Sequence, residues 1–281
     1  YAPENAVELM DSILNNAASS RASDIHLDPE QEGMSVRFRV DGMLYPFTTI
    51  PAYAKDEIVS RIKVLAQLDI SDRRTPQDGH LEFIFQDKVY NLRVSIIPAM
   101  RGEAVVLRIL NKEDLLAKLD DLGFDPEQLE LVNKVIASPY GINLITGPTG
   151  SGKTTLLYSI LDVLNKPGRC IVTLEDPIEL GMANIRQMQI RENIDLTFAR
   201  ATRAVLRQNP DIIMLGEIRD SDTAQMAFRA ALSGVLVFST FHTFDVPGLV
   251  MRLVEMNLPR SVLAYGLTGI ISTRLVRKIC N

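Results

Sequence analysis

The stretch Gly147-Pro-Thr-Gly-Ser-Gly-Lys-Thr154 decides the fold of this 281-residue chain, because it matches the pattern G-x-x-x-x-G-K-[ST]. An apolar run at 142–146 precedes it, and residues 155–164 follow with a helix-compatible composition. A strand, a glycine-rich loop and a helix in this order are typical of a phosphate-binding loop, and a purely structural turn is the weaker alternative. The backbone N–H groups of such a loop and the start of its helix attract phosphate.

The residue types in this loop predict ATP and Mg²⁺ as its ligands. Lys153 is expected to reach the β- and γ-phosphates, and the Thr154 hydroxyl is expected to ligate Mg²⁺. The predicted nucleotide-binding residues are Gly147, Pro148, Thr149, Gly150, Ser151, Gly152, Lys153, Thr154 and Thr155.

Beyond the loop, the hydrophobic pattern divides the chain into two parts. Apolar runs at 170–174, 212–215 and 236–239 alternate with helical segments, which predicts a mainly parallel sheet with helical crossovers. The first 110 residues instead predict a small α+β unit with an antiparallel sheet, because short alternating strands and turns prevail there. We therefore predict two domains, 1–110 and 122–281, joined by a charged linker at 111–121.

In this first part, helices are predicted at 4–19 and 58–68, and strands at 35–40, 83–85, 89–97 and 104–110. Asp41-Gly42 is predicted to form a turn, and the strands at 83–85 and 89–97 are placed around Asp87-Lys88.

Composition narrows the class of protein. The net charge is −5 and the pI about 5.4, so the chain lacks the overall basic character of many nucleic-acid motors. With only Cys170 and Cys280, a disulfide framework is not expected, which favours a reducing compartment. We see no apolar stretch of membrane-spanning length and no signal segment. The chain begins at Tyr1, and we expect it to be part of a longer protein.

Carboxylates follow two of the predicted strands. Glu217 ends the run that starts at Asp211, and Glu175-Asp-Pro-Ile-Glu179 follows the strand at 171–174. Carboxyl ends of parallel strands meet at one edge of a sheet, so these groups are expected near the phosphates. Glu217 is the first candidate to orient or deprotonate the attacking water and to approach Mg²⁺, directly or through a water. Glu175 and Glu179 stay open as alternative bases.

Sequence blocks spread over nearly the whole chain resemble the type II secretion and type IV pilus-assembly ATPases, on the secretion and pilus-extension branch. In the first part these blocks are Ala22-Ser-Asp-Ile-His26, Arg37-Phe-Arg-Val-Asp-Gly42, Pro76-Gln-Asp-Gly79, Arg93-Val-Ser95, Gly102-Glu103 and Val105-Val-Leu-Arg-Ile-Leu110. In the second part they are Thr173-Leu-Glu-Asp-Pro-Ile-Glu179, Asn209-Pro-Asp-Ile-Ile-Met-Leu-Gly-Glu-Ile-Arg-Asp220, the histidine box Ser239-Thr-Phe-His-Thr243, and Arg274-Leu-Val-Arg-Lys-Ile-Cys280. The resemblance implies a sensor-like (PAS-like) α+β domain followed by a RecA-like ATPase domain.

The resemblance also implies an assembly and partners. It implies a homohexameric ring with ATP in the cleft between the domains, acting on an inner-membrane platform protein with a cytoplasmic adaptor. The expected location is the cytoplasm, peripheral to the inner membrane, and no direct nucleic-acid partner is expected. The resemblance implies that such a ring uses ATP to power the assembly of a pilus or pseudopilus, or protein secretion across the bacterial envelope.

Several arginines acquire candidate roles from the same resemblance. Arg93 and Arg108 are expected to reach the γ-phosphate across the cleft as arginine fingers, and Arg203 and Arg207 to face the nucleotide or a subunit interface. From the residues alone, Arg93 is equally consistent with an exposed charge on the surface of the sheet. Arg108 stands in an apolar run, so its guanidinium needs a partner. Arg219 is expected to pair with a carboxylate or with the next subunit.

Two departures from the family pattern stand out. Val235 occupies the position of the first histidine of the histidine box, while His242 keeps the second, and we expect His242 to sense the γ-phosphate. Cys280 alone cannot form a structural zinc site, so no zinc is expected here.

Two other functions compete with the motor ATPase. One is a nucleic-acid or conjugation motor with the same RecA-like core, which DNA stimulation would reveal. The other is a regulatory nucleotide-binding module with little turnover, which the carboxylates disfavour.

Overall fold

The structure is a computed structural model that describes residues 6–110 and 115–276. The chain divides into two compact units, Tyr1–Lys112 and Glu113–Asn281. No helix within the described residues is both long and apolar enough to cross a bilayer.

The first unit contains a six-stranded antiparallel sheet in the order β3-β2-β1-β6-β5-β4. Its strands are β1 Asp24–Pro29, β2 Gly33–Val40, β3 Met43–Pro51, β4 Gln77–Phe85, β5 Lys88–Ala99 and β6 Gly102–Leu110, and its described helices are α1 Ala6–Ser19 and α2 Ala52–Leu65.

Strict alternation along β2 shows how this sheet buries one face. Met34, Val36 and Phe38 are buried, and they share a core with α1 and α2. Arg37 and Arg39 point to the other face and are only partly covered. The period of two thus leaves a polar face on the sheet, and the arginines of β5 and β6 lie on it as well.

The second unit is built on a six-stranded sheet in which every pairing is parallel, in the order β12-β7-β11-β10-β8-β9. Its strands are β7 Gly141–Thr146, β8 Ile171–Glu175, β9 Arg186–Gln189, β10 Ile212–Glu217, β11 Leu236–Phe241 and β12 Leu267–Ser272. Its helices are α3 Pro126–Ile136, α4 Lys153–Leu164, α5 Phe198–Val205, α6 Ser221–Leu232, α7 Val246–Glu255 and α8 Arg260–Gly266.

Helices cover both faces of this parallel sheet, as the continuous apolar runs predict. Ile212 and Met214 of β10 pack on the side of α3 and α4. Ile213 and Leu215 pack on the side of α5, α6 and α7. The predicted fold class, an antiparallel α+β part and a mainly parallel α/β part, is confirmed.

The predicted linker at 111–121 is described from residue 115 onward. Leu119 is buried in the core of the second unit with Val132 and Ile136. The Ser159 hydroxyl donates a hydrogen bond to the carbonyl of Ala117 over 2.6 Å. The second half of the segment is therefore attached to the second unit. Residues 111–114 lie outside the described part, and the boundaries of the two domains stay a prediction.

The turn at Asp41-Gly42 is observed, with φ of 48° and 80°. The two strands expected around Asp87-Lys88 are β4 and β5, and the turn between them lies at Gln86 and Asp87, with φ of 49° and 62°. Lys88 already pairs with Phe85 as the first residue of β5, and this pairing fixes the turn.

Candidate functional site

The phosphate loop, residues 147–154, connects β7 to α4 in the second unit, and its first glycine is required by the fold. Gly147 has φ of 152°. A Cβ there would lie 2.5 Å from the Ser151 Oγ and 2.6 Å from the Thr273 carbonyl oxygen, both closer than van der Waals contact permits. Only glycine fits at this position without displacing Ser151 or Thr273.

Lys153 begins α4, and its side chain folds back over the loop. Its Nζ donates hydrogen bonds to the carbonyl oxygens of Gly147, over 2.8 Å, and Pro148, over 2.9 Å, and only 8% of the residue is exposed. Burial lowers the pKa of Lys153, while the negative charge of Glu217 opposes that shift. The loop thus holds a cation where a phosphate would be bound, and Glu217 lies within electrostatic range.

Glu217 ends β10, and both of its carboxylate oxygens are engaged. The Arg219 Nε donates to Oε1 over 2.8 Å, and the His242 Nε2 lies 2.9 Å from Oε2. The side chain is 17% exposed, so solvent reaches it only in part. The hydrogen bond to Glu217 is the main cause of a raised pKa of Arg219, so this guanidinium stays charged. The carboxylate is thereby fixed in orientation at the edge that carries the phosphate loop.

Glu175 ends β8 but has a different environment. It is 3% exposed and accepts hydrogen bonds from the Tyr158 hydroxyl, the Thr173 hydroxyl and, over 3.1 Å, the Gln187 amide. Burial and the neighbouring Glu175 charge raise the pKa of Tyr158, which therefore stays a donor. This network ties α4 to β8 and β9, and it leaves Glu175 little freedom to take up a proton from water. Glu179 lies partly buried in the segment after β8.

Arg219 joins carboxylates from three segments of the second unit. Besides Glu217, its Nη1 lies 3.5 Å from an oxygen of Asp176 and 3.7 Å from an oxygen of Glu192. Of the two partners expected for Arg219, a carboxylate is the one observed here.

Val235 and His242 lie at opposite ends of β11. Leu236 pairs with Gly141 at the start of β7, and Phe241 pairs with Thr146 beside the phosphate loop. Seven residues of extended chain separate the two positions by about 20 Å. Val235 is buried in the core, whereas His242 contacts Glu217. The change at position 235 is therefore remote from the site, and it gives no local reason for a new role of His242.

Arg203 and Arg207 lie on α5 and the turn after it, and both are exposed. Arg203 contacts the Met226 sulfur over 4.0 Å, and Arg207 donates to the carbonyl of Arg203 over 3.2 Å. Neither contact involves the phosphate loop. Their role toward the nucleotide or a subunit interface stays a prediction.

Arg93 and Arg108 are neighbours in the first unit, because they are paired in register between β5 and β6. Arg108 has the partner that was expected for it: its Nε donates to the buried Asp24 over 2.9 Å. Asp24 also lies 3.5 Å from Arg39, so one carboxylate serves two guanidinium groups. Half of the Arg108 side chain is nevertheless exposed.

A cavity beside the phosphate loop was missed by the sequence reasoning. It has a volume of about 550 Å³, and its wall is formed mainly by apolar residues of α3, β12 and the segment before α3. Ser151, Gly152 and Thr155 border it, while Phe124 and Leu131 line it. Its size and apolar lining suit a heterocyclic base. The residue that pointed to this cavity is Leu131, an apolar residue that is exposed on the amphipathic helix α3.

The donors for a magnesium ion fit the usual requirements. Mg²⁺ keeps several waters and takes one or two protein oxygens together with phosphate oxygens. Thr154 is exposed in the first turn of α4, and Glu217 ends β10 at the same sheet edge. No cluster of three or more metal-ligating side chains exists among the described residues. Cys280 lies outside them.

Comparison with known proteins agrees with this arrangement. The chain is 45% identical over 274 residues to a putative type II secretion system protein E of Escherichia coli, covering 98% of the chain and 56% of that protein. It is 46% identical over 275 residues to the type IV pilus assembly ATPase PilB of Myxococcus xanthus, covering 98% and 49%. The chain thus spans about half the length of the curated relatives it matches.

Solved structures share the fold over both units. The ATPase DotB of Legionella pneumophila has a TM-score of 0.75 and 28% identity, covering 94% of this chain and 73% of that one. The pilus retraction motor PilT with bound ADP has a TM-score of 0.72 and 31% identity, covering 95% and 78%. Residues 3–281 match a single family description, and the chain therefore belongs to the type II/IV secretion system protein family.

Proposed function

We propose that this chain is the motor part of an ATPase that hydrolyses ATP to drive secretion or the assembly of a pilus or pseudopilus. The observation that carries the proposal is the placement of Lys153 and Glu217 at one edge of a parallel sheet, close enough for their charges to interact. A phosphate-binding cation and an oriented group that positions the attacking water are two of the groups that enzymes use to hydrolyse a phosphoanhydride.

The residues of this chain would divide the work as follows. The N–H groups of the phosphate loop and Lys153 hold the β- and γ-phosphates, and the apolar cavity takes the base. Glu217, fixed by Arg219 and His242, accepts the proton of the attacking water. Mg²⁺, bound through the Thr154 hydroxyl and near Glu217, would neutralise charge that develops on the phosphates.

The relatives support the coupling to a machine. The two quoted above bear names from type II secretion and type IV pilus assembly. We propose a homohexamer in the cytoplasm that contacts an inner-membrane platform protein and an adaptor. The membrane would be reached through those partners.

The test is Mg²⁺-dependent phosphate release, measured with and without single-stranded DNA. We expect turnover that DNA does not stimulate, since the chain is acidic overall. Stimulation by DNA would favour the nucleic-acid motor. A protein that binds ATP but releases no phosphate, alone or with its membrane partner, would be the regulatory module instead.

Arg93 and Arg108 are proposed to contact the γ-phosphate when the first unit closes over a bound nucleotide. They are adjacent in register on the polar face of the sheet, so one anion could contact both. ADP lacks the γ-phosphate and would favour the open state, which supplies the differential affinity that a nucleotide-driven motion requires.

We expect fluorescence transfer between labels on the two units to be higher with a non-hydrolysable ATP analogue than with ADP. The Arg93→Ala/Arg108→Ala double variant is expected to lose this difference, while Arg101→Ala, at the exposed turn after β5, should keep it. Equal transfer with both nucleotides in the unmutated protein would rule out the closure. A difference that survives in the double variant would assign the sensing to other residues.

A further inference from the structure

The segment after β12 runs alongside the start of the phosphate loop. The backbone N–H of Thr273 donates to the carbonyl of Thr146 over 2.8 Å, which extends the pairing of β12 with β7. The Thr273 hydroxyl is 3.0 Å from the Ser151 hydroxyl. The backbone N–H and the hydroxyl of Thr273 therefore hold this segment against the loop, and the next residue in the chain is Arg274.

The Arg274 side chain extends across the same edge of the sheet. Its guanidinium donates to the carbonyl of Thr273 over 2.8 Å and to the carbonyl of Phe244, in the loop after β11. Since β7 lies between β12 and β11, the guanidinium lies over the end of β7, where the phosphate loop begins. Within residues 115–276, Arg274 hydrogen-bonds to these carbonyl oxygens and to no carboxylate.

Arg274 and Lys153 are thus two cations at one site. Burial is the main cause of the lowered pKa of Lys153, and the positive charge of Arg274 lowers it further, against the opposing effect of Glu217. Two positive charges at short range repel each other, and an anion between them removes that repulsion. Arg274 also borders the cavity next to the loop.

The chemistry of the guanidinium matches such an anion. Its planar fork of N–H donors suits two oxygens of one phosphate group, and hydrogen bonds to a charged acceptor are stronger than those to a backbone carbonyl. The side chain is exposed, so exchanging the Phe244 carbonyl for a phosphate needs no repacking of the core.

We propose that Arg274 binds the phosphate groups of the nucleotide from within the same chain, alongside Lys153. This inference rests on the proposed nucleotide site and adds to it a residue that distinguishes nucleoside di- and triphosphates from the nucleoside.

The test compares ATP, ADP and adenosine as competitors of a fluorescent ADP analogue on the intact protein. For Arg274→Gln, we expect affinities for ATP and ADP to fall by about 10- to 100-fold, the usual effect of one charge-assisted hydrogen bond, with adenosine unchanged. Arg274→Lys keeps the positive charge but loses the planar fork of N–H donors, so we expect an intermediate loss of affinity for ATP and ADP. Arg260→Gln, which removes another exposed arginine at the start of α8, is the matched control and should bind like the unmutated protein.

Unchanged ATP and ADP affinities in Arg274→Gln would overturn the inference. An equal loss for adenosine would overturn it too, because Arg274 would then only shape the cavity. The Lys153→Ala variant shows whether the role of Arg274 alone is wrong or whether the nucleotide site itself is wrongly assigned. If Lys153→Ala weakens ADP binding and Arg274→Gln does not, only the role of Arg274 is wrong. If neither weakens it, the nucleotide does not bind at this loop.

Discussion

Replacing Lys153 with alanine is expected to abolish measurable ATP hydrolysis and to weaken ATP binding. The ammonium is held inside the phosphate loop by two carbonyl oxygens, so it is placed where the phosphates of the nucleotide would bind. Loss of one preorganised donor to developing charge costs about 10²–10³ in turnover, and loss of a charge-assisted bond to phosphate weakens binding by about 10- to 100-fold. Phosphate release and nucleotide titration measure the two effects.

Lys166→Ala is the control for this variant. Lys166 is exposed just after α4, so the variant removes the same charge outside the loop. We expect it to hydrolyse ATP normally. Turnover in Lys153→Ala equal to that of the control would contradict the assignment of the phosphate loop.

Replacing Glu217 with glutamine is expected to leave ATP binding nearly intact and to lower turnover by about 10²–10⁴, the usual effect of losing a general base. The amide is close in size to the carboxylate but does not accept a proton from water at neutral pH. Arg219 keeps Asp176 and Glu192 as nearby charges, so the local structure should persist. Single-turnover phosphate release at saturating ATP measures the chemical step directly.

Two further variants sharpen this experiment. Glu130→Gln alters an exposed carboxylate that pairs with Lys134 on α3 and should not change turnover. His242→Ala removes one of the two groups that orient Glu217, and it should lower kcat by less than Glu217→Gln while KM stays similar. If turnover in Glu217→Gln falls less than about threefold, far below the usual effect, the base becomes Glu179, since Glu175 is only 3% exposed and is enclosed in a buried network.

Strands were predicted best from the sequence where both of their faces are buried, because burial on both faces leaves a nearly continuous apolar run. The central strands β7, β8, β10 and β11 are nearly continuous apolar runs, and each was located from them. Both edge strands of this sheet, β9 and β12, were missed. An edge strand is held by backbone hydrogen bonds on one side and buries little side-chain area, so its residues carry a weak signal. For the same reason β3, at an edge of the other sheet, was not predicted.

By itself the sequence determined the phosphate loop, the parallel sheet behind it and the approach of Glu217 to Lys153. These follow from local rules: glycines set the loop, apolar runs set the strands, and parallel strands bring their carboxyl ends to one edge. Only the tertiary structure decided which charges meet. Asp24 pairs with Arg108 across 84 residues, and Arg274 reaches the loop only because β12 pairs with β7. Such contacts depend on which strands lie side by side, and side-chain periodicity does not encode strand order.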